Sequence, residues 1–165
     1  MTETVSEPTH ASRPAENPGV VAPPPLLYLG ALAAGFALQA LMPDTHIAAA
    51  VRWPLGALLC VAGAALARSF FREFARASTP VSPYSKPTAL VTRGPYRLTR
   101  NPGYVGMTFA CAGIAVLASS LWVLVPVAIA VAIIDRGVVA REERFLERAF
   151  GDDYLRYKAR VRRWL

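Results

Sequence analysis

Residues 104–134 run for 31 positions without one charged side chain. A bilayer span needs about 20 predominantly apolar residues, and roughly 17 suffice when flanking side chains snorkel. The stretch is therefore too long for one ordinary span and a little short for two full ones. The uncharged break Ala118-Ser119-Ser120 predicts a helical hairpin, with arms over residues 102–118 and 121–135 whose ends reach into polar sequence. Pro126 is expected to bend the returning arm.

Two more apolar segments precede the hairpin, at residues 25–42 and 53–71. A chain of 165 residues that is 54% hydrophobic, with mean hydropathy +0.34, is one domain too apolar for an ordinary soluble protein. The expected fold is all-α: a polytopic membrane protein of about four transmembrane helices, followed by a helical tail over residues 136–165. Residues 1–24 hold three acids, one arginine and the bulk of a proline-rich run, without the basic start of a signal peptide, and are expected to form a disordered tail.

Charge sets the orientation. Between the second and third spans lie seven basic residues, Arg68, Arg72, Arg76, Lys86, Arg93, Arg97 and Arg100, against the single acid Glu73. From Asp135 onward there are nine more basic residues against six acids, whereas the first connection offers only Asp44, His46 and Arg52. The positive-inside rule puts both rich segments and both termini in the cytoplasm, as in a bacterial inner membrane. The net charge of +7 then reflects topology and attraction to anionic membrane lipids, not nucleic-acid binding. Cys60 and Cys111 fall inside apolar spans and read as small core residues, and no metal site is indicated.

Two charged, aromatic stretches abut the hairpin. The first, GPYRLTRNPGYVG, follows a loop that Pro80, Pro83 and Pro87 hold out of regular structure. Asn101-Pro102 predicts a helix start, because Asn is a strong N-cap and Pro at the first position forfeits no hydrogen bond. The amide-rich end of that helix, reinforced by Arg93, Arg97 and Arg100, suits a carboxylate or phosphate, and Tyr96 and Tyr104 suit a flat ring. Gly103 and Gly106 allow close approach. The same residues also suit a plain membrane re-entry, with arginines at headgroups and tyrosines at the interface.

The second stretch is AREERFLERAFGDDYLRYKARV. On a helical wheel Val138, Val139, Phe145, Leu146, Ala149 and Phe150 form one stripe, with Glu142 inside it and Asp135 beside it. Glu143 falls at the edge, next to Arg136. A carboxylate among apolar side chains needs a cation or several donors, so Glu142 calls either for an ion pair to Arg97 or Arg100 or for a ligand. Gly151 ends this helix, and the next one carries Tyr154, Tyr157 and Val161 on one face as an interfacial amphipathic helix.

Taken together, in this order and spacing, the two stretches resemble the isoprenylcysteine carboxyl methyltransferase and phospholipid methyltransferase superfamily of integral-membrane enzymes. The resemblance implies S-adenosylmethionine as cofactor, in a cytoplasm-facing pocket between the last spans and the tail, and a hydrophobic or lipid-like acceptor reaching it through the bilayer. It implies cofactor contacts from Tyr96, Arg100, Asn101, Pro102, Tyr104, Gly106, Glu142 and Glu143, and catalytic roles for Arg136, near the acceptor, and Glu143. Many members have His where this chain has Asn101, so proton transfer at that position is not expected. Membrane sterol reductases, which use a nicotinamide cofactor, and a non-enzymatic membrane scaffold are the competing readings.

Overall fold

The computed structural model describes residues 23–79 and 88–165. Among them every regular element is helical: α1 (Pro24–Leu41), α2 (Ala49–Arg76), α3 (Pro102–Leu117), α4 (Leu124–Ile134), α5 (Ala140–Phe150) and α6 (Asp152–Arg160). Short 3-10 turns over Gly94–Arg97 and Leu121–Val123 lead into α3 and α4, and a π turn over Asp135–Val139 joins α4 to α5. Residues 1–22 of the tail expected over residues 1–24, and most of the proline loop, lie outside the described residues, and Pro24 already belongs to α1.

Three helical stretches are long and apolar enough to cross a membrane: Pro24–Leu41, Ala49–Arg76 and Leu121–Phe150; Pro102–Leu117 is a shorter apolar one. Helices thus cover the four stretches expected to span, with shifted ends. The second is longer than expected, since α2 begins at Ala49 and carries Pro54 in its second turn. Pro126 sits in the first turn of α4, where a missing amide breaks no helical bond. The 30 residues of Leu121–Phe150 would measure about 45 Å, against about 30 Å of hydrocarbon, so its charged last third extends beyond the span.

α2 lies antiparallel along α3 on a seam of small residues. A Cβ on Gly63 would come within 2.7 Å of the Gly106 carbonyl oxygen, and one on Gly113 within 2.5 Å of Cys60 Sγ. Without a hydrophobic driving force between lipid-solvated helices, such close backbone approach is what van der Waals attraction needs. α1 packs against α4 and its 3-10 lead-in, enclosing a core that includes Tyr28, Cys111, Ala115, Val123 and Ile134. Cys111 is buried and Cys60 half-buried, both as free thiols, in keeping with their expected role as small core residues.

At one end of the bundle the α1–α2 connection docks on the hairpin turn. Ser119, with φ +52, receives the Ile47 amide on its hydroxyl at 2.9 Å and donates to the Thr45 carbonyl at 3.1 Å. Ser120 donates to the Gln39 side chain at 3.0 Å, and the Trp122 indole to the Pro43 carbonyl at 3.1 Å. Every one of these groups is neutral. The two motifs gather at the opposite end.

Candidate functional site

The first motif enters through the Gly94–Arg97 turn, which starts at φ +59, where Gly is favoured and where a Cβ would press on the Glu73 side chain. Tyr96 is buried against Phe70 and Phe74, and its carbonyl accepts the Tyr157 hydroxyl at 2.8 Å. Arg93 and Arg97 are exposed. The helix starts at Pro102 as expected, but Asn101 does not cap it with its side chain. Instead the Asn101 side-chain Nδ2 donates to the Arg163 carbonyl at 2.9 Å, so the first turn of α3 keeps its amides without a side-chain cap.

The second motif carries the largest departure from a regular wheel. Asp135 and Glu143, eight residues apart, would diverge by about 80° on an α-helix; a π turn absorbs roughly one residue and leaves them about 20° apart. The ion pair that was one of the two alternatives for Glu142 is made by its neighbour Glu143. Its carboxylate is 5% exposed and accepts from Arg100 Nη2 at 2.7 Å and from Arg163 Nε and Nη2 at 3.0 and 2.7 Å. Arg163 Nη1 also reaches Asp135 at 3.2 Å, where the Trp164 indole donates at 2.9 Å. Arg136 lies exposed on the π turn, and Glu143 is held by these other arginines.

Glu142 has a different environment. Half-buried on the adjacent position, it accepts the Tyr104 hydroxyl at 2.8 Å, a contact between residues 38 apart that joins the two motifs. Burial pushes the Tyr96 phenol well up, with Tyr157 and the Glu142 charge adding to it. One carboxylate is thus neutralised by two arginines, and its neighbour faces the Tyr104 phenol. Arg100 is occupied: besides Glu143 it donates to the Lys158 carbonyl at 3.2 Å and to that of Val161. Gly106 is set apart from this cluster, on the α2–α3 seam opposite Gly63, and Pro102 is fully buried at the helix start.

α6 departs from an interfacial anchor. Tyr154 and Tyr157 are 1% and 5% exposed and form a second core with Tyr96, joined by Phe70, Phe74 and Leu146. Burial, with the Glu143 charge adding, pushes the Tyr154 phenol up to about 12. Beyond α6, residues 161–164 cross the start of α3: the Arg100 amide donates to the Arg162 carbonyl at 2.9 Å and the Thr99 hydroxyl to that of Arg163 at 2.9 Å. The Glu143 hydrogen bonds hold the Arg163 guanidinium above its ordinary value. Sequence reasoning missed Thr99, Arg163 and Trp164.

A helical membrane bundle with a polar cluster built where a tail folds back on the start of a span defines a class of membrane proteins that keep their polar chemistry at the bilayer surface. The family model for phospholipid methyltransferases matches residues 51–153, and the chain belongs to that family. An uncharacterized protein of Haemophilus influenzae is 54% identical over 39 residues, 24% of this chain. The chain spans 62% of that relative's length. No solved structure matches.

Proposed function

We propose that this protein transfers a methyl group from S-adenosylmethionine to a lipid-like or small hydrophobic acceptor at the cytoplasmic face of a membrane. The observation that carries the reading is the Tyr104–Glu142 contact, which brings a carboxylate held by a phenol beside the uncapped start of α3. The donor set fits the cofactor: Glu142 suits its amine or ribose hydroxyls, the first-turn amides of α3 suit its carboxylate, and the phenols of Tyr96 and Tyr104 suit the adenine. Arg100, Asn101 and Glu143 serve by holding these groups, since their own polar atoms are engaged within the chain. Pro102 and Gly106 shape the helix start and its packing.

When bound, S-adenosylmethionine supplies an electrophilic methyl on a sulfonium. The task left to the protein is orientation and exclusion of water, for which a buried aromatic cluster at the bilayer surface is suited. Arg136, exposed on the π turn at the end of a span, would meet the head of an acceptor arriving from the lipid. The α2–α3 connection and the tail carry most of the basic residues, which makes their end of the bundle the cytoplasmic one.

The test is calorimetric binding of S-adenosylhomocysteine and NADPH to the full chain in nanodiscs, followed by transfer of labelled methyl into membrane lipid extracts. Micromolar binding of S-adenosylhomocysteine and labelled lipid are expected. Binding of NADPH alone would turn the assignment to a reductase, and binding of neither to a scaffold.

A further inference from the structure

The family match ends at residue 153, yet the residue that touches both motifs lies ten positions beyond it. The Arg163 carbonyl is held from the first motif by Thr99 and Asn101, both at 2.9 Å. Its guanidinium is forked onto Glu143 in the second motif and spans the π turn to Asp135. A π turn is a rare, wide turn that survives where something external favours it, and here one side chain bridges the residue that opens it and a residue one helical turn past it. Two parallel N–H donors into one carboxylate define a direction as well as a distance. Rotating α5 away from that direction would carry Glu142, the next residue, off the Tyr104 hydroxyl.

We propose that Arg163 is a positioning residue for Glu142: by clamping Glu143 and Asp135 across the π turn it fixes the rotation of α5 that presents Glu142 to Tyr104 and to a bound cofactor. This inference rests on the proposed methyltransferase reading, in which Glu142 contacts the cofactor. Lys158, at 3.7 Å from Glu143, already supplies a point charge there, so the distinctive contribution of Arg163 is its planar fork.

The test is a double-mutant cycle on S-adenosylhomocysteine affinity, measured by calorimetry on the folded full chain in nanodiscs, with amide exchange over Asp135–Val139 as a cofactor-free readout. Arg163→Lys keeps the charge and loses the fork, and should weaken binding about tenfold while speeding exchange across the π turn. In a Glu142→Gln background the same change should cost less than about twofold, because the group it positions is gone. Parent-like affinity in Arg163→Lys, or losses that multiply in the double variant, would overturn the inference. Should Arg163→Lys not fold, Asp135→Asn loosens the other side of the clamp and should lower affinity severalfold; unchanged affinity there overturns the proposal equally. If the parent itself binds no S-adenosylhomocysteine, the methyltransferase reading falls. The exchange data then judge the clamp alone: faster exchange in Arg163→Lys supports it and unchanged exchange refutes it.

Discussion

The two ends of the bundle are closed by opposite chemistry. At the hairpin end, Thr45, Ser119, Ser120 and Trp122 bond to neutral partners. At the other end, Arg100, Arg163, Asp135 and Glu143 form a network of full charges. Neutral hydrogen bonds each contribute modestly and can be lost one at a time. A buried carboxylate between two guanidiniums cannot: removing one member strands the rest. The charged end therefore concentrates stability in a few residues, and that rigidity holds the neighbouring Glu142 in place.

The sharpest way to break the contrast is Glu143→Gln. It leaves Arg100 and Arg163 facing a neutral amide and should cost about 3 kcal/mol in denaturant unfolding, the lower end for a broken buried pair because Arg163 is partly solvated. A loss below about 1 kcal/mol would mean that the two ends do not differ in kind. Next comes Glu142→Gln, expected to change stability by less than about 1 kcal/mol while weakening S-adenosylhomocysteine binding roughly tenfold. Equal losses of stability in the two Gln variants would erase the division of labour between the adjacent acids.

At the neutral end, Ser119→Ala removes a hydroxyl that bonds both to the Ile47 amide and to the Thr45 carbonyl, and should cost about 1 kcal/mol without touching cofactor affinity. A change in binding would reveal coupling along α3 that the separation of the ends does not predict. Smallest of all, Arg156→Ala breaks an exposed pair with Asp153 and should move the unfolding midpoint by no more than about 0.5 kcal/mol equivalent. A larger effect would show that surface charge, and not the buried network, sets the stability of the tail.

What could be read from the chain follows the same division. The spans were legible because bilayer thickness imposes a length on any apolar run, and residues 104–134 left few ways to meet it. The start of α3 was legible because Asn-Pro fits one helical position. Three features were not. The π turn is invisible to a wheel drawn at a constant angle, and with it the acid that takes the ion pairs is Glu143, while Glu142 meets Tyr104. Asn101 was credited with a local cap, yet its partner is the carbonyl of a residue 62 positions later. The tail tyrosines looked interfacial because periodicity reveals a face and not what covers it; Phe70, Phe74 and Tyr96 cover this one.

The position of Arg163 in the chain has a consequence for biosynthesis. Every residue it touches, Thr99, Asn101, Asp135 and Glu143, leaves the ribosome before it does. The spans can enter the bilayer and the α2–α3 seam can close while the polar end is still open, since elements made early fold early. Until the arginine arrives, Glu143 lacks the more complete of its two guanidinium contacts and the π turn lacks its brace. Maturation of the site is thus a late event, separable in time from membrane insertion. A nascent chain arrested after Phe150 would already be a membrane protein but would not yet hold the polar cluster in its final form.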